Sequence, residues 1–206
     1  MSEDLGLQWQ AAEAVAAEPW RNGGGSTRTL WVWPAGAAAA DWRLRISLAD
    51  ITRDGPFSPF AGVRRWFAVV QGAGVNLAWP QQAQALTPCS PPICFDGAQA
   101  PGCSLIGGAT RDLNLMLRGV AGGLVKARPD EAWQAPPGAW RACFCTGAGH
   151  LQTGHDGLAL PGMGLVLPAA AGTPPDQQPW QWTPASAEAR AWWLWADLGA
   201  TAQAPA

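Results

Sequence analysis

Punctuation constrains this chain most: 25 glycines and 19 prolines are spread over 206 residues. They leave few uninterrupted stretches long enough for a helix. Between the breaks, apolar residues recur at every second position, the pattern of strands with distinct faces. In residues 26–33, Arg28, Leu30 and Val32 share one face while Thr29, Trp31 and Trp33 share the other. In residues 41–51, Trp42, Leu44, Ile46 and Leu48 point one way, and Arg43, Arg45 and Ser47 the other. Residues 66–70 are almost wholly apolar and end in the turn Gln71-Gly72-Ala73-Gly74, before a further strand at 75–79. In residues 111–118, Leu113, Leu115 and Leu117 oppose Asp112, Asn114 and Met116. The rhythm restarts beyond Gly119, at 140–145, 150–152, 157–160, 165–167 and 191–197. This predicts an all-β chain with little helix, built as antiparallel sandwiches or barrels. Residues 83–101 and 172–184 read as long loops, and 199–206 as a frayed tail. No linker divides the two strand series, so they are expected to pack together.

Charge narrows the partners. Thirteen Lys and Arg stand against fifteen Asp and Glu, a net charge of −2, which argues against a nucleic-acid surface. Lys126 is the sole lysine and every other cation is Arg, the residue suited to planar recognition of carboxylates; a GC-rich codon bias produces the same skew. Residues 1–10 carry Glu3 and Asp4 without a basic or apolar leader segment, and no run of about 18 apolar residues occurs. Neither export nor a membrane span is therefore expected. Five cysteines, an odd set, fit reduced thiols in the cytoplasm.

Three blocks could carry chemistry. The first is Trp20-Arg21-Asn22-Gly23-Gly24-Gly25-Ser26-Thr27-Arg28. Its glycines either form an anion-binding nest of backbone N–H groups or make a plain turn between strands; the spacing excludes a Walker or dinucleotide loop. The second, residues 51–65, combines an Asp54-Gly55-Pro56 turn with Phe57 and Phe60 as anchors. It ends on Arg65, which opens the apolar run 66–70 and needs a partner, a ligand or a solvated strand end. The third is the Asp112, Asn114 and Met116 face, which is either the solvent side of a sheet or the interior of a small barrel. The same choice applies to Arg43, Arg45 and Ser47.

Together these blocks resemble the HutD/Ves family. The resemblance covers Trp20 to Arg28, then Arg45, Ser47 and Ala49, then Asp54 to Gly62, Arg65, the triplet Phe95-Asp96-Gly97, and Arg111 to Met116. It departs from the family pattern at Leu44, Ala61, Arg64 and Leu113, with Trp42 placed to replace lost aromatic surface. The resemblance implies a double cupin of residues 1–206, with residues 1–118 as the first half and 119–206 as the second. It also implies a cytoplasmic binder or regulator associated with histidine utilisation, without a cofactor. A small anionic ligand such as urocanate or N-formylglutamate is expected, held by Asn22, Gly23, Gly24, Arg28, Arg45, Ser47, Phe57, Arg65, Asp112 and Asn114. A homodimer is compatible with this reading.

The competing class is a metal-independent hydrolase or isomerase with Asp112 or Asp54 as proton acceptor, although a lone carboxylate supports acid–base work weakly. A metal cupin would need clustered His and Glu, whereas His150 and His155 are the only histidines and lie five residues apart. Cys143 and Cys145 share a strand face and read as small buried hydrophobes, with a Cys–His150 pair as the reactive alternative.

Overall fold

The computed structural model describes residues 6–37, 41–154, 156–169 and 178–199. The first strand is β1 (Leu7–Ala11), followed by a single 3-10 turn at Ala12–Ala14. Next come β2 (Glu18–Pro19), β3 (Gly25–Trp33), β4 (Leu44–Ile51), β5 (Gly55–Pro56) and β6 (Val63–Gln71). Then follow β7 (Val75–Trp79), β8 (Gln82–Leu86), β9 (Ile93–Asp96), β10 (Gly102–Leu105) and β11 (Thr110–Arg118). Beyond them are β12 (Gly122–Lys126), β13 (Ala132–Trp133), β14 (Trp140–Cys145) and β15 (Gly149–Thr153). The last are β16 (Asp156–Leu160), β17 (Gly164–Pro168), β18 (Trp180–Pro184) and β19 (Ala191–Ala196). Every pairing among them is antiparallel, which gives the expected all-β architecture. No helix among the described residues is long and apolar enough to cross a membrane.

The unit spanning Val15–Gly119 pairs a six-stranded sheet, β2-β3-β4-β11-β6-β9, with a four-stranded sheet, β5-β10-β7-β8. Period-2 alternation makes this a sandwich. Ala49, Ile51, Phe67 and Val69 project from the large sheet onto Val75, Leu77, Leu86 and Cys103 of the small one. The opposite face of the large sheet, including Leu44, Ile46, Leu48, Leu113, Leu115 and Leu117, is buried as well.

The other unit joins the described residues up to Ala14 with those from Val120 onward. Its sheets are β1-β17-β14-β19-β12 and β13-β18-β15-β16. Residues up to Ala14 thus leave the half in which their sequence position puts them, because β1 pairs along its whole length with β17. Cys143, Cys145, Val166 and Trp193 meet Leu151, Leu160, Trp180 and Trp182 in the core. Trp133 stacks on Trp193 with centroids 5.2 Å apart. Both thiols are fully buried. Burial holds Cys143 well above its ordinary value and pushes Cys145 up to about 12, so both stay protonated.

Two expected loops contain strands. Within residues 83–101, β9 and most of β8 form; β8 is an exposed edge whose Gln and Ala residues show no buried face to betray it. Within 172–184, β18 alternates Trp180 and Trp182 inward with Gln181 and Thr183. Residues 172–177 and the tail 200–206 lie outside the described residues, as does His155.

Candidate functional site

The site follows from the register of four strands. Arg45 on β4, Met116 on β11 and Arg65 on β6 stand directly opposite one another. Ser47, Asn114 and Phe67 form the next row, and Ala49, Asp112 and Val69 the one after. Residues opposite in an antiparallel sheet share a face, so the polar side chains of β4 and β11 point into the sandwich. Ser47, Asp112 and Asn114 are buried there and Arg65 is only 9% exposed. The interior reading of that face is the correct one.

These rows floor a cavity of about 410 Å³. Of the expected ligand-binding residues, Asn22, Arg45, Ser47, Phe57, Arg65 and Asn114 line it. Gly23, Gly24, Arg28 and Asp112 are not among its lining residues. Arg28 pairs with Leu48 and is turned away with it, and β3 contains a register shift beyond it, between Thr29 and Trp31. Before the shift Thr27 and Thr29 face Ala49 and Ser47; after it Val32 faces Arg45. Arg28 and Val32 therefore lie on opposite faces, and Arg28 joins Asp50, which also accepts from Arg111 Nε at 2.7 Å.

The triple-glycine run is a turn whose own atoms use its donors. Gly23 N–H donates to the Trp20 carbonyl at 3.0 Å, and Gly24 N–H to Asn22 Oδ1 at 3.0 Å. The Gly24 carbonyl accepts from Thr52 N–H at 2.9 Å, tying the turn to the end of β4. A Cβ on Gly25 would strike the Asp50 carbonyl, so only glycine lets β3 approach β4 there. With Oδ1 engaged, Asn22 offers the cavity its Nδ2 donors. Trp20 is fixed by an indole N–H bond to Thr27 Oγ1 at 2.8 Å.

Arg65 is the centre of the site. Its Nε and Nη2 both donate to Asn114 Oδ1, at 2.9 and 2.7 Å. Asn114 in turn donates Nδ2 to the Asp112 carbonyl at 3.3 Å. Asn114 is thus consumed as an orienter, and the end of the guanidinium around Nη1 remains for a ligand. Phe57 and Phe95 lie 4.4 and 5.6 Å from Arg65 Cζ, flanking the cation with aromatic faces. Burial lowers Arg65 to about 10; the Asp112 charge opposes that shift and the Arg45 charge adds to it. It is still cationic at neutral pH. Arg45 donates Nη2 to Thr29 Oγ1 at 2.9 Å. Burial pulls it down as well, and Glu18 pulls it back.

The Asp54 loop closes one wall. Asp54 Oδ1 accepts from Leu105 N–H at 2.8 Å, and Phe57 N–H donates to the Pro101 carbonyl at 2.9 Å. Gly97 N–H donates to the Val63 carbonyl at 2.7 Å and its own carbonyl accepts from Phe60 N–H at 2.8 Å. A Cβ on Gly97 would lie 2.7 and 2.8 Å from the Phe60 and Val63 carbonyl oxygens. Gly97→Ala is expected to cost about 1–3 kcal/mol through this overpacking, measured by urea denaturation, and to loosen the Phe57–Phe60 wall.

Neither Asp112 nor Asp54 lines the cavity; Glu18 is the carboxylate that does. Lining residues beyond the expected ones include Glu18, Trp20, Arg21, Thr27, Phe60 and Met116. Trp20, Arg21, Thr27 and Phe60 sit inside the motif blocks and Met116 alternates with Asn114, so these five carry a signal in the sequence. Glu18 gave no signal. A metal ion does not fit this set, because two guanidiniums converge where a cation would need acceptors. Among the described residues no three His, Cys, Asp or Glu side chains gather anywhere. His150 is exposed, alternates away from the core residue Leu151 and packs over Gly157. It does not meet the core-facing Cys143 or Cys145.

Two paired-sheet units, one of them holding a cationic cavity between its sheets, define a cupin-like protein of the double-cupin kind. The HutD family model matches residues 12–159, and the chain belongs to that family. An uncharacterized 21.2 kDa protein in the hutC 3′ region of Pseudomonas putida is 38% identical over 111 residues, 53% of this chain and 57% of that one. Protein Ves of Citrobacter koseri is 34% identical over 100 residues, 48% and 51% of the two chains. The chain spans about half the length of the curated relatives it matches. The structure of HutD from Pseudomonas fluorescens SBW25, in a formate condition, superposes with a TM-score of 0.74 at 25% identity. That match covers 92% of this chain and 97% of the other.

Proposed function

We propose that this protein is a receptor for a small carboxylate of histidine degradation, such as urocanate or N-formylglutamate, and that occupancy of the cavity modulates histidine utilisation. One observation carries the reading. Arg45 and Arg65 flank Met116 in a single row, roughly 10 Å apart between Cα atoms, and neither forms an ion pair among the described residues. Each raises the cost of the other's charge, and an anion between them relieves it. With its side edge held by Asn114, Arg65 presents the other end of its fork, a geometry matched to a carboxylate. The neighbourhood of the Pseudomonas putida relative, the hutC 3′ region, supports the pathway.

Thermal-shift measurements with formate, glutamate, N-formylglutamate, urocanate and histidine test it. A carboxylate at about a hundred times its Kd stabilises the native state by about 2.7 kcal/mol and raises the melting temperature. Arg65→Ala is expected to weaken binding about 10- to 100-fold, and the half-buried Arg45→Ala serves as a second variant. No shift with any carboxylate, or shifts in both variants as large as the wild type's, overturns the reading. Consumption of the stabilising compound on overnight incubation would replace a receptor with an enzyme.

A further inference from the structure

The cavity is not uniformly cationic. Its ionisable lining is Arg21, Arg45 and Arg65 with one carboxylate, Glu18. Glu18 sits on β2, the edge strand, opposite Thr27. It forms no ion pair among the described residues, although its charge is felt at Arg45. A pocket for a simple anion gains nothing from a carboxylate in its wall, which repels the ligand and weakens the field of the guanidiniums. The same group becomes favourable when the ligand has two unlike ends. Trp20, Pro56, Phe57 and Phe60 also line the cavity and give it flat apolar surface, while the Trp20 N–H is already spent on Thr27.

From this division we infer that the cavity selects a carboxylate whose far end bears an N–H donor or a positive charge, with Glu18 as the residue that reads that end. The inference rests on the carboxylate reading of Arg45 and Arg65 and deepens it. The carboxylate docks on Arg65, an apolar or planar middle lies against the aromatic wall, and the donor end meets Glu18 at the rim. A ligand with a second carboxylate in place of the donor is disfavoured by the same contact.

Two matched pairs of probes test this by isothermal titration calorimetry on the full chain. Urocanate and 3-(2-furyl)acrylate share a planar outline, but only the imidazole carries N–H. Butyrate and 4-aminobutyrate form the flexible pair. The wild type is expected to prefer the donor-bearing member of at least one pair about tenfold, the low end for a charged hydrogen bond because Glu18 is exposed. Glu18→Gln should reduce that preference to within about twofold, weakening the donor-bearing member and, with the wall's repulsion of anions removed, binding the donor-less member at least as tightly as the wild type does. Equal affinities within both pairs, a preference that survives Glu18→Gln, or no binding of any of the four overturns the inference. The underlying site is judged separately. Formate and N-formylglutamate binding that is lost in Arg65→Ala keeps the carboxylate site even when Glu18 proves indifferent.

Discussion

The Phe67→Ala variant is expected to lose about 3–5 kcal/mol of stability, read from the midpoint of guanidinium denaturation. Phe67 is fully buried at the meeting of the two sheets in the Val15–Gly119 unit. It stands in the row of Ser47 and Asn114, on the same face of the sheet as the polar floor of the cavity. Its ring lies 5.4 Å from Phe57 at a 49° tilt, and Phe57 is the face on which the Arg65 guanidinium rests. Truncation therefore removes a large apolar side chain and the support of the cation's platform at once. Surrounding strands are held by ladders on both sides and relax little, which places the cost toward the upper end. Carboxylate binding should weaken in the same variant. Phe57→Leu separates the two effects: it keeps apolar volume against Phe67, costs less stability and still removes the ring under Arg65. A Phe67→Ala protein as stable as the wild type would mean that the sandwich core is not where the buried side chains place it.

Alternation made the central strands legible because their neighbours lie on both sides and every side chain has a definite face. Arg45 could be grouped with Ser47, and Asn114 with Met116, from sequence for that reason, while the register that joins the two pairs could not. Whether the group faced water or the interior could not be read, since a polar face is polar in either setting; the facing sheet decides it, and that sheet is brought by β7 and β10. Arg28 shows the complementary failure. Strict period-2 counting puts it with Val32, but a single bulged position in β3 reverses the faces, and nothing in Thr29-Leu30-Trp31 announces the bulge. Edge strands were missed for a third reason: the solvent-facing residues of β8 are Gln and Ala, and β2 is two residues long. Glu18 became part of the site only through that short edge. The β1 to β17 ladder joins residues at opposite ends of the chain, a register that no local pattern encodes.

Asp112 should make the protein less stable as pH rises, the reverse of the usual behaviour of a native carboxylate. Its side chain is fully buried. Oδ2 accepts the Thr110 hydroxyl at 2.7 Å, while Oδ1 is buried without a hydrogen-bond partner. Burial pushes the carboxyl up from its ordinary 3.8 to about 8; the Thr110 bond and the Arg65 charge act against that rise, and Asp50 adds to it. Cys103 on the facing strand β10 is driven to about 12 by burial first and then by Asp112 and Asp54, so it stays a neutral thiol and adds no second negative charge beside Asp112. Between about pH 4 and pH 8 the folded protein holds a proton that the unfolded chain has released. The proton-binding difference then makes unfolding easier with each step upward, and the stability present below pH 4 is lost progressively by pH 8. The full swing is on the order of a few kcal/mol, visible as a falling melting temperature across that window. Asp112→Asn keeps the shape and cannot ionise, so its melting temperature should change less with pH than that of the wild type. Parallel pH profiles for the two proteins would show that Asp112 is already ionised in the fold and that Arg65, held by Asn114, neutralises it in place.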